Sequence, residues 1–192
     1  MTRTARKTTV GAAVVLAALA WTSPAAATGS SAAVASQDAS TGTNARVRGL
    51  SPRLVAVITE ATAQSKTFRG LVDRIGTTDG IVFVAEGHCG HGVRACLLHA
   101  VTIAGSNRML WIRVDPRMSD RDLMRFIGHE LQHAVEVLDD PRVRSTSAIY
   151  RLSLRIGRDS AGQGRFETEA ATSAGDAVRR ELRKSAVAER RQ

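Results

Sequence analysis

Two histidines and a glutamate stand together in His129-Glu130-Leu131-Gln132-His133. On a helix, residues four apart lie about 40° from each other in projection and one turn apart along the axis. Two imidazoles so placed converge on one metal ion from the same face. That donor type and spacing point to Zn2+. Glu130 falls roughly 100° further round the helix, beside the ion and outside its coordination shell. A carboxylate there acts as general base toward water whose pKa the metal has lowered. His129 and His133 are therefore the candidate metal ligands, and Glu130 is the candidate catalytic residue.

These residues need a helix, and the chain supplies its signals. Ser119 and Asp122 have the spacing of an N-cap and its N3 partner, and Asp139-Asp140-Pro141 is a stop. Between them Leu123, Ile127, Leu131, Ala134 and Leu138 form one apolar stripe that should pack on a sheet. Gly128 inside this helix costs about 1 kcal/mol relative to alanine, so it implies crowding or a close approach. Upstream, Ser51-Pro52 opens a helix in which Leu54, Ile58, Ala61, Ser65 and Phe68 recur at helical spacing. Strands are expected at Ile81–Ala85, Leu97–Ala104 and Met109–Val114, the last two joined by a hairpin at Gly105-Ser106-Asn107-Arg108. Helix is expected again through Ile149, Leu152 and Ile156. A final helix should start near Phe166, after a loop over 157–164.

The ends of the chain say where it works. Arg3, Arg6 and Lys7 precede an apolar run from Val10 to Trp21 and the small residues Ala25-Ala26-Ala27. This pattern reads as a signal peptide over 1–27, and the apolar run of about 12 residues falls short of the ~20 that span a bilayer. An uncleaved anchor is the competing reading. A flexible Ala/Ser/Thr/Gly linker is expected over 28–50, and one globular domain over 51–192. The composition, 43% hydrophobic and 23% charged, is that of a folded chain. The protein should be secreted or periplasmic, with no membrane span after signal cleavage. In that setting Cys89 and Cys96, the only cysteines, should form a disulfide, closing a loop worth about 2.5 kcal/mol. The alternative is a second metal site with His88, His91 and His99. The formal charge of +9 is concentrated in a basic tail with no aromatic residue after Phe166, so specific nucleic-acid binding is not supported.

The HExxH pattern, with its order of helix, strands, motif helix and later helix, resembles the zincin superfamily of metallopeptidases over roughly residues 51 to 182. The resemblance implies an α+β fold with a short antiparallel or mixed sheet packed on the motif helix, and an edge strand that aligns a peptide or protein substrate. It implies zinc-assisted hydrolysis of peptide bonds. Glu136 and Asp139 stand where the metzincin branch requires Gly and His, which excludes that branch. The gluzincin branch takes its third ligand from a glutamate on a later helix, and Glu167 and Glu169 are available. Helical register would place Glu167 with Ala171, Ala174, Val178 and Leu182 on the apolar face, and Glu169 on the polar one. A buried carboxylate needs a partner or a metal, which favours Glu167. Glu136 is the rival, but it lies about 7 Å along the axis from the midpoint of the two histidines and suits a supporting role better. Zincins add a side chain that stabilises the oxyanion, for which Tyr150 and His99 are the nominees. A catalytically silent zinc-binding module and a basic envelope-associated protein are the alternative functions.

Overall fold

The computed structural model describes residues 45–159 and 166–189. The expected signal peptide, the linker up to residue 44, the glycine loop at 162–164 and the end of the basic tail lie outside the described residues. Among the described residues, no helix is long and apolar enough to cross a membrane.

The architecture is α+β. Strands β1 (Val47–Gly49), β2 (Gly80–Glu86) and β5 (Asn107–Val114) run parallel, while β3 (Ala95–Leu97) and β4 (Thr102–Ala104) pair antiparallel with β5. The sheet order is β1-β2-β5-β3, with β4 also on β5. Helices α1 (Pro52–Gln64), α2 (Lys66–Gly76), α3 (Asp120–Asp139), α4 (Thr146–Ile156) and α5 (Glu169–Glu189) complete the domain, with a two-stranded ribbon of β6 (Arg158–Asp159) and β7 (Phe166–Glu167).

Alternation fixes which face of the sheet is covered. Val82, Val84, Leu110, Ile112 and Val114 are buried on one face together with Leu123, Ile127, Leu131 and Leu138 of α3. The expected stripe of α3 is therefore its buried face. The other sheet face carries Phe83 stacked on Trp111 at 4.8 Å. Helix starts follow their capping signals: Ser51 accepts from the Leu54 amide, and Ser119 accepts from the Asp122 amide.

Four expectations need correction. The linker does not run to residue 50, because Val47–Gly49 pairs with Val82–Val84 as β1; three residues are too few to show alternation. The first helix is two helices. Ser65, fully buried, ends α1 and caps α2 through the Phe68 amide, and its hydroxyl donates to Glu181 of α5 at 2.6 Å. That carboxylate also takes the Thr67 amide, a favourable place for negative charge at a helix N-terminus. The strand expected over Leu97–Ala104 is broken where the Ala100 amide donates to the Leu98 carbonyl, a tight turn centred on His99. Finally, the last helix begins at Glu169, and Phe166–Glu167 is a strand.

Arg108, expected in a hairpin turn, is instead the first inward residue of β5 and is almost fully buried. It donates to both carboxylate oxygens of Asp79 and to the carbonyls of Val137, Leu138, Asp140 and Val143. It thus caps α3, whose own last turn has no basic residue. Arg108→Met would strip these acceptors of their donor. We expect a loss of about 1–3 kcal/mol in reversible urea unfolding, the cost of leaving buried acceptors without a donor; a loss below about 1 kcal/mol would show that water replaces the guanidinium.

Candidate metal centre

The centre forms where α3 crosses α5. A Cβ on Gly128 would meet the Val178 side chain at 2.9 Å, and one on Gly175 would lie 3.2 Å from the His129 Cβ. The two glycines let the helices approach closely and leave room for the His129 ring. His129 and His133, one turn apart, present their rings 5.0 Å apart on this side of α3, with side chains only 17% and 14% exposed.

Glu167 reaches them from β7. Its Oε2 lies 3.0 Å from His129 Nε2 and 3.8 Å from His133 Nε2. One ligand atom from each of the three side chains lies within 4.8 Å of the others, so the group can hold a metal ion. Three donors about 2.1 Å from a tetrahedral ion would stand about 3.4 Å apart, which lies between the two measured separations. Helical register plays no part in placing Glu167. It precedes α5, held by pairing with Arg158 in the ribbon, and its side chain is 45% exposed. Ala171, Ala174, Val178 and Leu182 do form the buried face of α5, but Glu167 is not on it.

Glu136 sits on the other edge of the His133 ring, its Oε2 3.0 Å from Nδ1. Its Oε1 accepts from the Thr168 hydroxyl at 2.7 Å, and that hydroxyl accepts from the Ala171 amide at the start of α5. Facing a carboxylate that can only accept, Nδ1 carries a proton, and Nε2 is the nitrogen that a metal would take. Carboxylates in this position orient metal-binding histidines and raise their basicity. The chain Ala171–Thr168–Glu136–His133 also ties the start of α5, and hence Glu167 just before it, to α3. Glu169 is exposed on the first turn of α5 and is not part of the cluster.

Glu130 is 6% exposed, and its Oε2 accepts from the Leu97 amide of β3 at 2.7 Å. Burial pushes its carboxyl up, against the pull of His133 and His129. It opens on a cleft of about 360 Å3 shared with His133, Glu167 and His99. Ile149, Leu152, Ile156 and Phe166 form an apolar wall of that cleft. His99, turned out by the break between β3 and β4, has its imidazole pushed down by desolvation and by His133. Tyr150 does not line the cleft; it is 48% exposed and packs edge-to-face on Phe166 at 5.6 Å.

Cys89 and Cys96 are joined, with a Cα–Cα separation of 5.8 Å, which leaves no thiolates for a second metal site. Both half-cystines line the cleft beside Leu97. The sequence reading missed the Leu97 amide, Thr168 and Gly175. Only Thr168 carries a signal, an N-cap residue three positions before Ala171.

No family model matches the chain, and neither the curated proteins nor the solved structures contain a significant match to it.

Electrostatics of the metal-free site follow from these contacts. Burial pulls the His133 imidazole down, but its hydrogen bonds with Glu136 and Glu167 outweigh burial and hold it at about 10. The two imidazoles lower Glu167 from 4.5 to about 2. The Glu167 contribution is complete above its ordinary 4.5 and lost toward pH 2. The His133 contribution is complete below its ordinary 6.5 and lost toward pH 10. In metal-free protein the melting-temperature gap between wild type and Glu167→Gln should therefore be widest between those two ordinary values and shrink on both sides. A gap independent of pH would show that this ion pair does not form.

Proposed function

We propose that the protein is an exported zinc-dependent peptidase of the zincin type, in the gluzincin manner. One observation carries the reading: the ligand atoms of His129, His133 and Glu167 come together beside a cleft that His133, Glu167 and the buried Glu130 line. Two imidazoles and one carboxylate form the donor set of a catalytic zinc site that keeps a position open. The disulfide is consistent with an oxidising compartment.

His129 Nε2, His133 Nε2 and Glu167 Oε2 would hold the ion, and Glu136 would fix the His133 tautomer. Zinc bound there supplies a Lewis acid for the scissile carbonyl and acidifies the attacking water. Glu130 takes the proton of that water and returns it to the departing amine. Its Oε2 is anchored by the Leu97 amide, so Oε1 is the oxygen free to carry the proton. His99, on the cleft wall, is the candidate donor to the developing oxyanion in place of Tyr150. Strand β3 pairs with β5 on one side only. Its other side supports the Glu130 carboxylate and offers an edge along which an extended peptide would lie.

Glu130→Gln should retain one zinc per chain and lose hydrolysis of an unbiased peptide library by at least about 10²–10⁴-fold, the range for removing a general base. Cleavage at the wild-type rate by a zinc-loaded Gln variant would remove Glu130 from the mechanism.

A further inference from the structure

A second cleft, of about 280 Å3, lies between the first turns of α3 and the outer half of α5, away from the apolar wall described above. Four arginines line it, Arg121 and Arg125 from α3 and Arg179 and Arg183 from α5. Helical spacing explains the convergence: each pair is four positions apart and so shares one face of its helix. We propose that this cleft is an anion site that binds a phosphate group.

The charges do not balance within the cleft. Asp176 is shared between Arg125 at 3.4 Å and Arg179 at 3.2 Å. Asp122 is engaged by the Ser119 hydroxyl at 2.8 Å. Arg121 and Arg183 are left without a carboxylate partner among the described residues. Four guanidinium groups thus face two carboxylates, an excess that matches a phosphate dianion.

Among the described residues the Nε of Arg179 makes no hydrogen bond, while its side chain as a whole is 42% exposed and lines the cleft. The planar fork of arginine matches phosphate in bidentate fashion. The positive end of α3 adds to the field at the same place. Leu182 supplies an apolar contact in the lining, and the volume leaves room for a substituent ester-linked to the phosphate. Neither zinc nor Glu130 takes part, so the site stands apart from the proposed hydrolysis.

The same group comes to an exported protein as free phosphate or as a lipid headgroup. Inorganic phosphate should be titrated calorimetrically into the exported chain at low ionic strength, alongside Arg121→Ala/Arg183→Ala. Both side chains are exposed, so the double variant should keep the wild-type melting temperature. Arg69→Ala/Arg151→Ala, equally exposed and outside the cleft, removes the same charge. We expect saturable binding that weakens at least about tenfold in the cleft variant and less than about twofold in the control. Co-sedimentation with phosphatidylcholine vesicles, with and without phosphatidylglycerol, then separates the sources. Retention only with phosphatidylglycerol, competed by phosphate, supports the site with a lipid headgroup as ligand. Saturable phosphate binding without retention supports it with a free phosphate. Absence of saturable phosphate binding, or equal weakening in both double variants, would overturn the proposal.

Discussion

The closeness of α3 and α5 is the constraint on which the rest depends. Both histidines of the cluster belong to α3, and the carboxylate that meets them ends the strand leading directly into α5. Gly128 opposite Val178, and Gly175 opposite His129, remove the side chains that would hold the two helices apart. A methyl group at Gly128 must displace the Val178 side chain, and one at Gly175 presses on the His129 Cβ, which must give by a few tenths of an ångström. Packing is dense enough for such a displacement to be transmitted along the helix. The Thr168–Glu136–His133 chain then sets the start of α5 against the same turn of α3. Helix packing and ligand geometry are thus two consequences of one contact.

The charge distribution around that contact suits a divalent cation. Glu136 and Glu167 flank the two imidazoles with their carboxyls held below the ordinary range, so with neutral histidines the cluster carries at least two negative charges within a partly buried site. When no cation is bound, a proton takes its place, which is why the His133 imidazole is held near 10. A bound cation replaces the proton and satisfies the same carboxylate. The Leu97 amide keeps Glu130 from turning into the cluster as a further ligand, which leaves it available as a base in the proposed mechanism. The disulfide beside Leu97 anchors the strand that provides this amide.

Much of this framework was legible from local pattern. The stripe Leu123–Leu138, the caps at Ser51 and Ser119, and the strands at Ile81 and Met109 are strong periodic or capping signals, and the elements follow them. The spacing of His129 and His133 placed both on one helix face because four residues nearly complete a turn. Gly128 announced a close approach without naming its partner. What failed was decided by distant contacts. Ser65 breaks a regular apolar pattern because Glu181, far along the chain, meets its hydroxyl. Arg108 turns inward because the end of α3 needs a donor. Glu167 was singled out on a helical register that it does not have, and its place depends on the ribbon pairing instead. Thr168 carried the missing information, since reading it as an N-cap would have started the helix at Glu169.

We propose that His129, His133 and Glu167 together hold zinc. X-ray absorption at the zinc edge of the exported, zinc-loaded chain tests it most directly, with Glu167→Ala measured in parallel. The account predicts an inner shell of nitrogen and oxygen at about 2.0–2.2 Å with two imidazoles and no sulfur. It also predicts that Glu167→Ala loses one oxygen ligand and binds zinc at least about tenfold more weakly. No zinc uptake, a sulfur-containing shell, or an unchanged spectrum and affinity in Glu167→Ala would contradict it.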